Sequence, residues 1–340
     1  MANLTVALLG LTRTTGSVGL ALRRYANKGG KHNFTVIGHD LSKELMKEAQ
    51  TAGFVDRSEG RITQAIADVD LVVVDLSYDQ MEATFRILGD ELRAGAVVLD
   101  LSPLKRPSVA WADTHFNAEQ HLVGITAIVN PRYIFEARED LHHAEEDFFD
   151  DSAILLSPAP DCIKEAVDLA FNFCQILGSR PRFLDPLEHD TLLAHTNDVP
   201  QILGVTLFYQ LMAEAAWDDM KWLTNPAFGV LTRPLFDIHP DAMRDAWHAN
   251  RDVLTRVLDQ YIETLQQMRT AIADGDKSTI EAVTSSAAKR YEEWINERYR
   301  ADWDADAKPK KADVGGGLMQ TLLGDKLANR ISGKGDADDD

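Results

Sequence analysis

Residues 4–19, Leu4-Thr-Val-Ala-Leu-Leu-Gly10-Leu-Thr12-Arg13-Thr14-Thr15-Gly16-Ser-Val-Gly19, join an apolar run of strand length to a helical pattern through a short polar loop. Such a loop can receive a pyrophosphate, because the turn amides and the helix N-terminus both present N–H groups to an anion. The usual dinucleotide fingerprint is G-x-G-x-x-G. Aligned on Gly10, Thr12 and Thr15 stand where its second and third glycines belong. Their hydroxyls can donate to phosphate, but their Cβ atoms take up space that glycine leaves open. The candidate cofactor loop is therefore Gly10, Thr12, Arg13, Thr14, Thr15 and Gly16. His39-Asp40 closes the next apolar run. The Asp40 carboxylate can accept both hydrogen bonds of an adenosine ribose and repels a 2′-phosphate, which favours NAD over NADP. Arg13 keeps NADP open, since its guanidinium can pair with the pyrophosphate or with a 2′-phosphate. Asp40 follows Gly10 by 30 residues instead of the usual distance of about 20, and residues 25–33 have the character of the insertion responsible.

Strand patterns at Leu4–Leu9, Phe34–Gly38, Asp70–Asp75, Ala96–Asp100, Leu122–Ile128 and Ala153–Leu156 are separated by helical patterns such as 16–27, 42–52 and 80–92. That alternation predicts an α/β fold, a Rossmann-type doubly wound parallel sheet. Beyond Pro186 the pattern is helical, with long amphipathic segments over about 187–217, 240–273 and 276–300. Apolar residues recur every three or four positions at Val253, Val257, Tyr261, Leu265 and Met268, which predicts a buried stripe. Asp274-Gly-Asp276 breaks two of these helices. The domains expected are 1–185, a dinucleotide-binding unit, and 186–303, an all-helical substrate and dimerisation domain. A helical half with this much apolar surface completes its core by pairing with a second copy, so a homodimer is expected. Residues 304–340 are polar and glycine-rich and are expected to be a disordered tail.

The 340 residues carry a net charge of −19, which argues against nucleic acid or an anionic membrane as partner. No apolar run reaches the roughly 18–20 residues of a membrane span, and the N-terminus lacks a signal-peptide pattern. Cys162 and Cys174 read as buried thiols of a reducing compartment, and the expected location is cytoplasmic. His142-His143 lack a second ligand pair at metal spacing, so no metal site is expected.

In order and spacing, several segments resemble the prephenate/arogenate dehydrogenase family over about residues 4–300. Asp70-Leu-Val-Val-Val-Asp-Leu-Ser77 resembles its third strand and the cofactor-contacting loop that follows, which implies a cofactor role for Ser77 and Tyr78. Asp100-Leu-Ser102-Pro-Leu-Lys105 resembles its D-x-x-S-x-K segment, and Glu188-His189-Asp190 the start of its first long C-terminal helix. Phe228 with Thr232-Arg233 resembles its G-F-x-x-x-T-R segment, and Trp247 with Asn250-Arg251 the next helix start. The resemblance implies a nicotinamide-dependent oxidative decarboxylation of a small anionic substrate in tyrosine biosynthesis. Hydride leaves the ring carbon that bears the 4-hydroxyl, CO₂ is lost and the ring becomes aromatic. Ser102 would assist the hydroxyl, and Arg233 would clamp a substrate carboxylate bidentately.

The family's histidines are replaced. Where G-H-P is expected the chain reads Gly124-Ile-Thr126-Ala-Ile-Val-Asn130-Pro131; length matching puts Asn130 at the histidine, and an ungapped reading puts Thr126 there. The S-H-L-P-H segment reads Asn197-Asp198-Val199-Pro200-Gln201, with His195 one turn away, where it can satisfy a local hydrogen bond. Removing a general base costs about 10² to 10⁴ in rate. Ser102, Asn130, Asn197, Asp198 and Arg233 remain as the candidate catalytic set. A carboxylate at Asp198 would oppose dianionic prephenate and welcome the amino group of arogenate or another amine. Two alternatives stay open: a dehydrogenase of the same fold for another small acid, with Asn130 orienting a hydroxyl or carbonyl, or a non-catalytic nucleotide-binding protein.

Overall fold

The computed structural model describes residues 2–136 and 138–301. The β1 segment (Asn3–Leu9) shows how the sheet forms: Val6, Ala7, Leu8 and Leu9 are all fully buried. Successive side chains point to opposite faces of a strand. Val6 and Leu8 therefore enter one apolar layer with Val18, Leu22 and Phe173, while Ala7 and Leu9 enter another with Met81, Phe85 and Leu88. A continuous apolar run is what burial on both faces of a central strand requires.

The remaining strands are β2 (Asn33–His39), β3 (Arg57–Ser58), β4 (Leu71–Val74), β5 (Val97–Asp100), β6 (His121–Ile128), β7 (Ala153–Pro158) and β8 (Arg180–Phe183). They form one sheet in the order β3-β2-β1-β4-β5-β6-β7-β8. The strand order reverses at β1, between β2 and β4, which opens a crevice at the carboxyl ends of β1 and β4. The helices of this part are α1 (Arg13–Asn27), α2 (Lys43–Ala52), α3 (Ile62–Ala65), α4 (Met81–Glu91), α5 (Lys105–His115) and α6 (Lys164–Ile176).

The sheet departs from the expected all-parallel arrangement at one pair. β7 runs antiparallel to β6, with Gly124 opposite Ser157 and Thr126 opposite Leu155. The chain between them returns at the same end of the sheet instead of crossing over through a helix, and its short turns Pro131–Tyr133 and Leu141–His143 lie near α1. Edge strand β8 was not foreseen, because Arg180-Pro-Arg-Phe183 lacks apolar alternation and begins with a proline dipeptide.

The helical half is more broken than its periodicity suggests. In place of one helix over 187–217 there are α7 (Pro186–Leu193), a π-helical turn (Ala194–Asp198), α8 (Val199–Met212) and α9 (Trp217–Met220). The short α10 (Pro226–Thr232) and α11 (Pro234–Asp237) follow, each with a proline in its first turn. Asn250 then separates α12 (Pro240–Ala249) from α13 (Arg251–Ala273), and α14 (Lys277–Arg300) completes the described chain. Asp276 caps α14 by accepting from the Thr279 amide at 3.1 Å, next to Gly275 in the left-handed region, as the Asp-Gly-Asp break predicts. The described residues divide into two compact units, one up to Val257 and one from Leu258 onward. The predicted stripe is buried at Val253 and Val257 in the first unit, whereas Leu265 in the second is 56% exposed. The expected tail, 304–340, lies outside the described residues.

Gly10 ends β1 with φ +87°, and a Cβ there would lie 1.9 Å from the Asp75 carbonyl oxygen. Both the conformation and the approach demand glycine. Gly10→Ala is expected to cost at least the roughly 1–3 kcal/mol of a strained backbone, read as a lower midpoint in urea unfolding.

Candidate functional site

The crevice mouth is built by the end of β1 and the first turn of α1. Thr12 and Thr15 cap each other: the Thr12 amide donates to Thr15 Oγ1 at 2.9 Å, and the Thr15 amide donates to Thr12 Oγ1 at 3.3 Å. This is a capping box with threonine in the place of the usual acid. Thr15 Oγ1 donates to the Gly10 carbonyl at 2.7 Å, and Thr12 Oγ1 donates to Asp75 Oδ2 at 2.5 Å. The hydroxyls thus knit the loop together. Asp40 Oδ2 accepts from the Leu11 amide at 2.9 Å and Oδ1 from the Ser42 amide at 2.8 Å. An ionised carboxylate offers about four acceptor positions, so Asp40 retains capacity for a diol.

The chain between β6 and β7 lies across this mouth. The Arg13 amide donates to the Glu139 carbonyl at 2.8 Å, Thr12 bridges Asp140, and the Glu145 amide donates to Ser17 Oγ at 3.0 Å. The Glu139 oxygen occupies the kind of acceptor position that a phosphate oxygen takes at a helix N-terminus. The Arg13 side chain is directed away from such a ligand. It is buried, ion-paired with Glu136 at 2.8 Å, bonded to the Arg138 carbonyl at 3.1 Å, and placed over the Tyr133 and Phe148 rings. Beneath the loop, burial pushes the Asp75 carboxyl up to about 6, against the opposing effect of the Thr12 hydroxyl.

Further along the carboxyl edge, β5 and β6 meet α5 and α7 in a polar cluster. Ser102 is buried and donates to Asp100 Oδ2 at 2.7 Å, with Ser108 Oγ 3.0 Å away. Lys105 is also buried; its Nζ donates to the Asp100 and Ser102 carbonyls at 2.9 and 2.6 Å, and burial lowers its pKa. Asp190 of α7 caps α5 from outside. Its Oδ1 accepts from the Lys105 amide at 2.7 Å and its Oδ2 from the Arg106 amide at 3.0 Å. Asp190 Oδ1 also lies 2.9 Å from His189 Nδ1, and His189 Nε2 lies 2.8 Å from Thr126 Oγ1. Asn250 donates to the Asp190 carbonyl at 3.1 Å and approaches Asp198 Oδ2 at 3.5 Å. Asp198 is buried and accepts from Asn197 at 3.1 Å, and burial raises its pKa. Asn197 in turn accepts from Gln201 at 3.0 Å.

The residues singled out from the sequence fall into two groups. Gly10, Thr12, Thr15, Gly16 and Asp40 line the mouth, with Thr14 half-buried in the first turn of α1. Ser102, Asn197 and Asp198 belong to the polar cluster. Ser77 stands before the short turn Tyr78–Gln80, and Tyr78 packs against Trp111. The buried Tyr78 hydroxyl has no hydrogen-bond partner among the described residues, and burial raises its pKa, followed by the charges of Asp190 and Asp100. Arg233 is half-exposed; its Nε donates to Asp237 at 2.6 Å, and it feels the charge of Asp140 at the mouth. Asn130 is placed elsewhere. It caps the turn after β6, accepting from the Arg132 amide and donating to the Asp147 carbonyl, so its amide group serves the backbone. Thr126 takes the place beside an imidazole.

Sequence reasoning gave no role to Asp75, His189, Asp190 or Asn250. A His-Asp pair two residues after a helix-starting proline and leucine was the available signal for two of them, since buried charged residues need partners.

Residues 18–181 match the family model described as prephenate dehydrogenase, nucleotide-binding domain, and residues 185–285 match prephenate dehydrogenase, dimerization domain. The chain is 23% identical over 283 residues to the prephenate dehydrogenase of Bacillus subtilis (strain 168), covering 81% of this chain and 72% of that protein. It is 24% identical over 283 residues to the cyclohexadienyl dehydrogenase of Zymomonas mobilis, covering 80% and 90%. Among solved structures, A. aeolicus prephenate dehydrogenase in complex with hydroxyphenyl propionate and NAD+ superposes with a TM-score of 0.71 at 18% identity, covering 86% of this chain and 98% of that one. Synechocystis arogenate dehydrogenase gives 0.63 at 18%, covering 85% and 99%. These likenesses establish the fold.

The raised pKa of Asp75 makes stability pH-dependent. The folded chain holds that proton more tightly than the unfolded chain, so stability falls as pH climbs from 3.8 to about 6 and stays reduced above. Asp75→Asn keeps an acceptor for Thr12 without the charge. Thermal melts should show it more stable than the parent at pH 7.5, by roughly 2–4 °C for each kcal/mol recovered, with the gain gone at pH 4.

Proposed function

Because this chain belongs to the prephenate dehydrogenase family, we propose that it is a nicotinamide-dependent dehydrogenase that oxidatively decarboxylates a prephenate- or arogenate-type cyclohexadienol. The observation that carries this reading is the succession of a nucleotide-binding match over residues 18–181 and a dimerization match over residues 185–285. It is supported by a polar cluster at the carboxyl edge of the sheet, where ligands of such folds bind.

The residues at the mouth fit a dinucleotide. Asp40 retains acceptor capacity for the adenosine ribose diol, and the Arg13 amide already faces an oxygen acceptor. The side chain of Arg13 is committed to Glu136 and two aromatic rings, which leaves Asp40 to set the preference and favours NAD over NADP. A bound nicotinamide ring would accept the hydride. The chain's own groups would bind and orient the substrate: among the described residues Arg233 keeps both terminal guanidinium nitrogens for a carboxylate while Nε holds Asp237. Asp198, buried within the cluster, suits a cationic amine and disfavours a second carboxylate, so arogenate is the better match.

The helical half carries exposed Tyr209, Met212, Trp222 and Phe236 in the first unit, and Ile262, Leu265, Ile272 and Tyr291 in the second. Apolar surface of this extent is covered in a symmetric pair, and the proposed assembly is a homodimer. No helix of the described residues is long and apolar enough to cross a membrane.

Calorimetry with NAD+ and NADP+, followed by an absorbance assay of reduced-nicotinamide formation with prephenate and with arogenate, tests the reading. NAD+ is expected to bind more tightly, and arogenate to give the higher kcat/KM. Asp198→Asn should shift the ratio towards prephenate by about tenfold or more, the value of one charge contact of roughly 1.4 kcal/mol. Absence of binding by either dinucleotide would remove the dehydrogenase reading.

A further inference from the structure

The histidine of the family's G-H-P segment is replaced here, and on the ungapped reading, which puts Thr126 in its place, an imidazole stands beside that position. We propose that Thr126 and His189 together form the proton relay of this enzyme, with Asp190 positioning the ring. The proposal rests on the dehydrogenase reading and deepens it by naming the group that handles the substrate hydroxyl.

Thr126 lies at the point where β6 emerges from the core: the strand is buried from His121 to Ile125 and half-buried from Thr126 onward. Its hydroxyl can therefore face both a ligand at the carboxyl edge and the buried ring behind it. His189 Nε2 is 2.8 Å from that hydroxyl, and Nδ1 is 2.9 Å from Asp190 Oδ1. A carboxylate on Nδ1 fixes the proton there and leaves Nε2 as an acceptor. Asp190 is itself held by the Lys105 and Arg106 amides, so it needs no help from the ring to stay in place. The ring is thus not required as a prop for the carboxylate. Its free nitrogen meets the one hydroxyl that reaches the site from β6.

The relay balances. As the C–H pair passes as hydride to the nicotinamide, the substrate O–H gives its proton to Thr126 Oγ1, whose own proton moves to His189 Nε2. Loss of CO₂ then sends its bonding pair into the ring, which becomes aromatic and leaves an oxygen anion. The imidazolium returns the proton through Thr126 to that oxygen. An imidazolium so formed lies in the field of the Asp190 and Asp198 carboxylates, and the cations of Lys105 and Arg106 on α5 act on that same Asp190.

The test combines kinetics with spectroscopy on the full-length protein. His189→Gln should lower kcat for arogenate or prephenate by about 10²–10⁴, leave the calorimetric affinity for NAD+ unchanged, and abolish the acid limb of the pH–kcat profile. Thr126→Val should behave alike, and Thr126→Ser should recover most of the rate. Nitrogen-15 spectra of the parent's imidazoles should place the His189 proton on Nδ1, and Thr126→Val should shift the Nε2 resonance. Failure of the parent to bind NAD+ would strike the dehydrogenase reading, while the imidazole spectra still judge the relay. A proton on Nε2, or a His189→Gln enzyme within about threefold of the parent with its acid limb intact, would overturn the relay.

Discussion

The carboxylate of Asp190 is the interaction on which the arrangement depends. It sits fully buried at the start of the helical half and accepts from the first two amides of α5, a helix that has no side-chain cap of its own. Backbone amides at a helix N-terminus carry partial positive charge, and a carboxylate placed there is worth more than an ordinary hydrogen bond. That one group joins α7 to the segment following β5, and it holds the Lys105 and Arg106 amides and the His189 ring at once. Removing it would leave the buried amides of Lys105 and Arg106 without their acceptor, and a buried donor left unsatisfied costs about 1–3 kcal/mol.

Electrostatics divide the carboxyl edge into two regions of different character. Around Asp190 the acids are matched: Lys105 is enclosed by Asp100, Asp190 and Asp75, and Arg106 binds Asn250 and Asp252. At the crevice mouth Asp75 sits under a threonine cap with its proton held more tightly than usual. The net charge of −19 therefore says little about either place. Local pairing, and not the average of the surface, decides which acids remain charged.

Much of the fold could be read from the chain because its strands announce themselves. Runs such as Leu71–Val74 and Val97–Leu99 are apolar throughout and divide by alternation between two layers, and the Asp-Gly-Asp break stands where expected. The reversal of β7 left no such mark, since Ala153–Leu156 would be equally apolar in either direction. Helix interruptions were hidden for a related reason. Asn250 and Asp198 break the helical course while leaving apolar spacing intact, because their side chains turn inward to polar partners. The mouth was legible through Gly10 and Asp40, whose roles follow from backbone geometry. The cluster was not, because Thr126, His189 and Asn250 lie far apart in the chain and only the packing of α7 and α12 near β6 and α5 brings them together.

The carbonyl of Glu139 on the Arg13 amide carries one more consequence. A helix end open to water offers an incoming anion a hydrogen bond it would otherwise make to solvent, but here the donor is already engaged. Any phosphate arriving at that position exchanges one acceptor for another, so the amide adds little net free energy. Tightness of binding would then be governed by the groups at either end of the ligand, and by how readily the covering chain finds alternative partners once displaced.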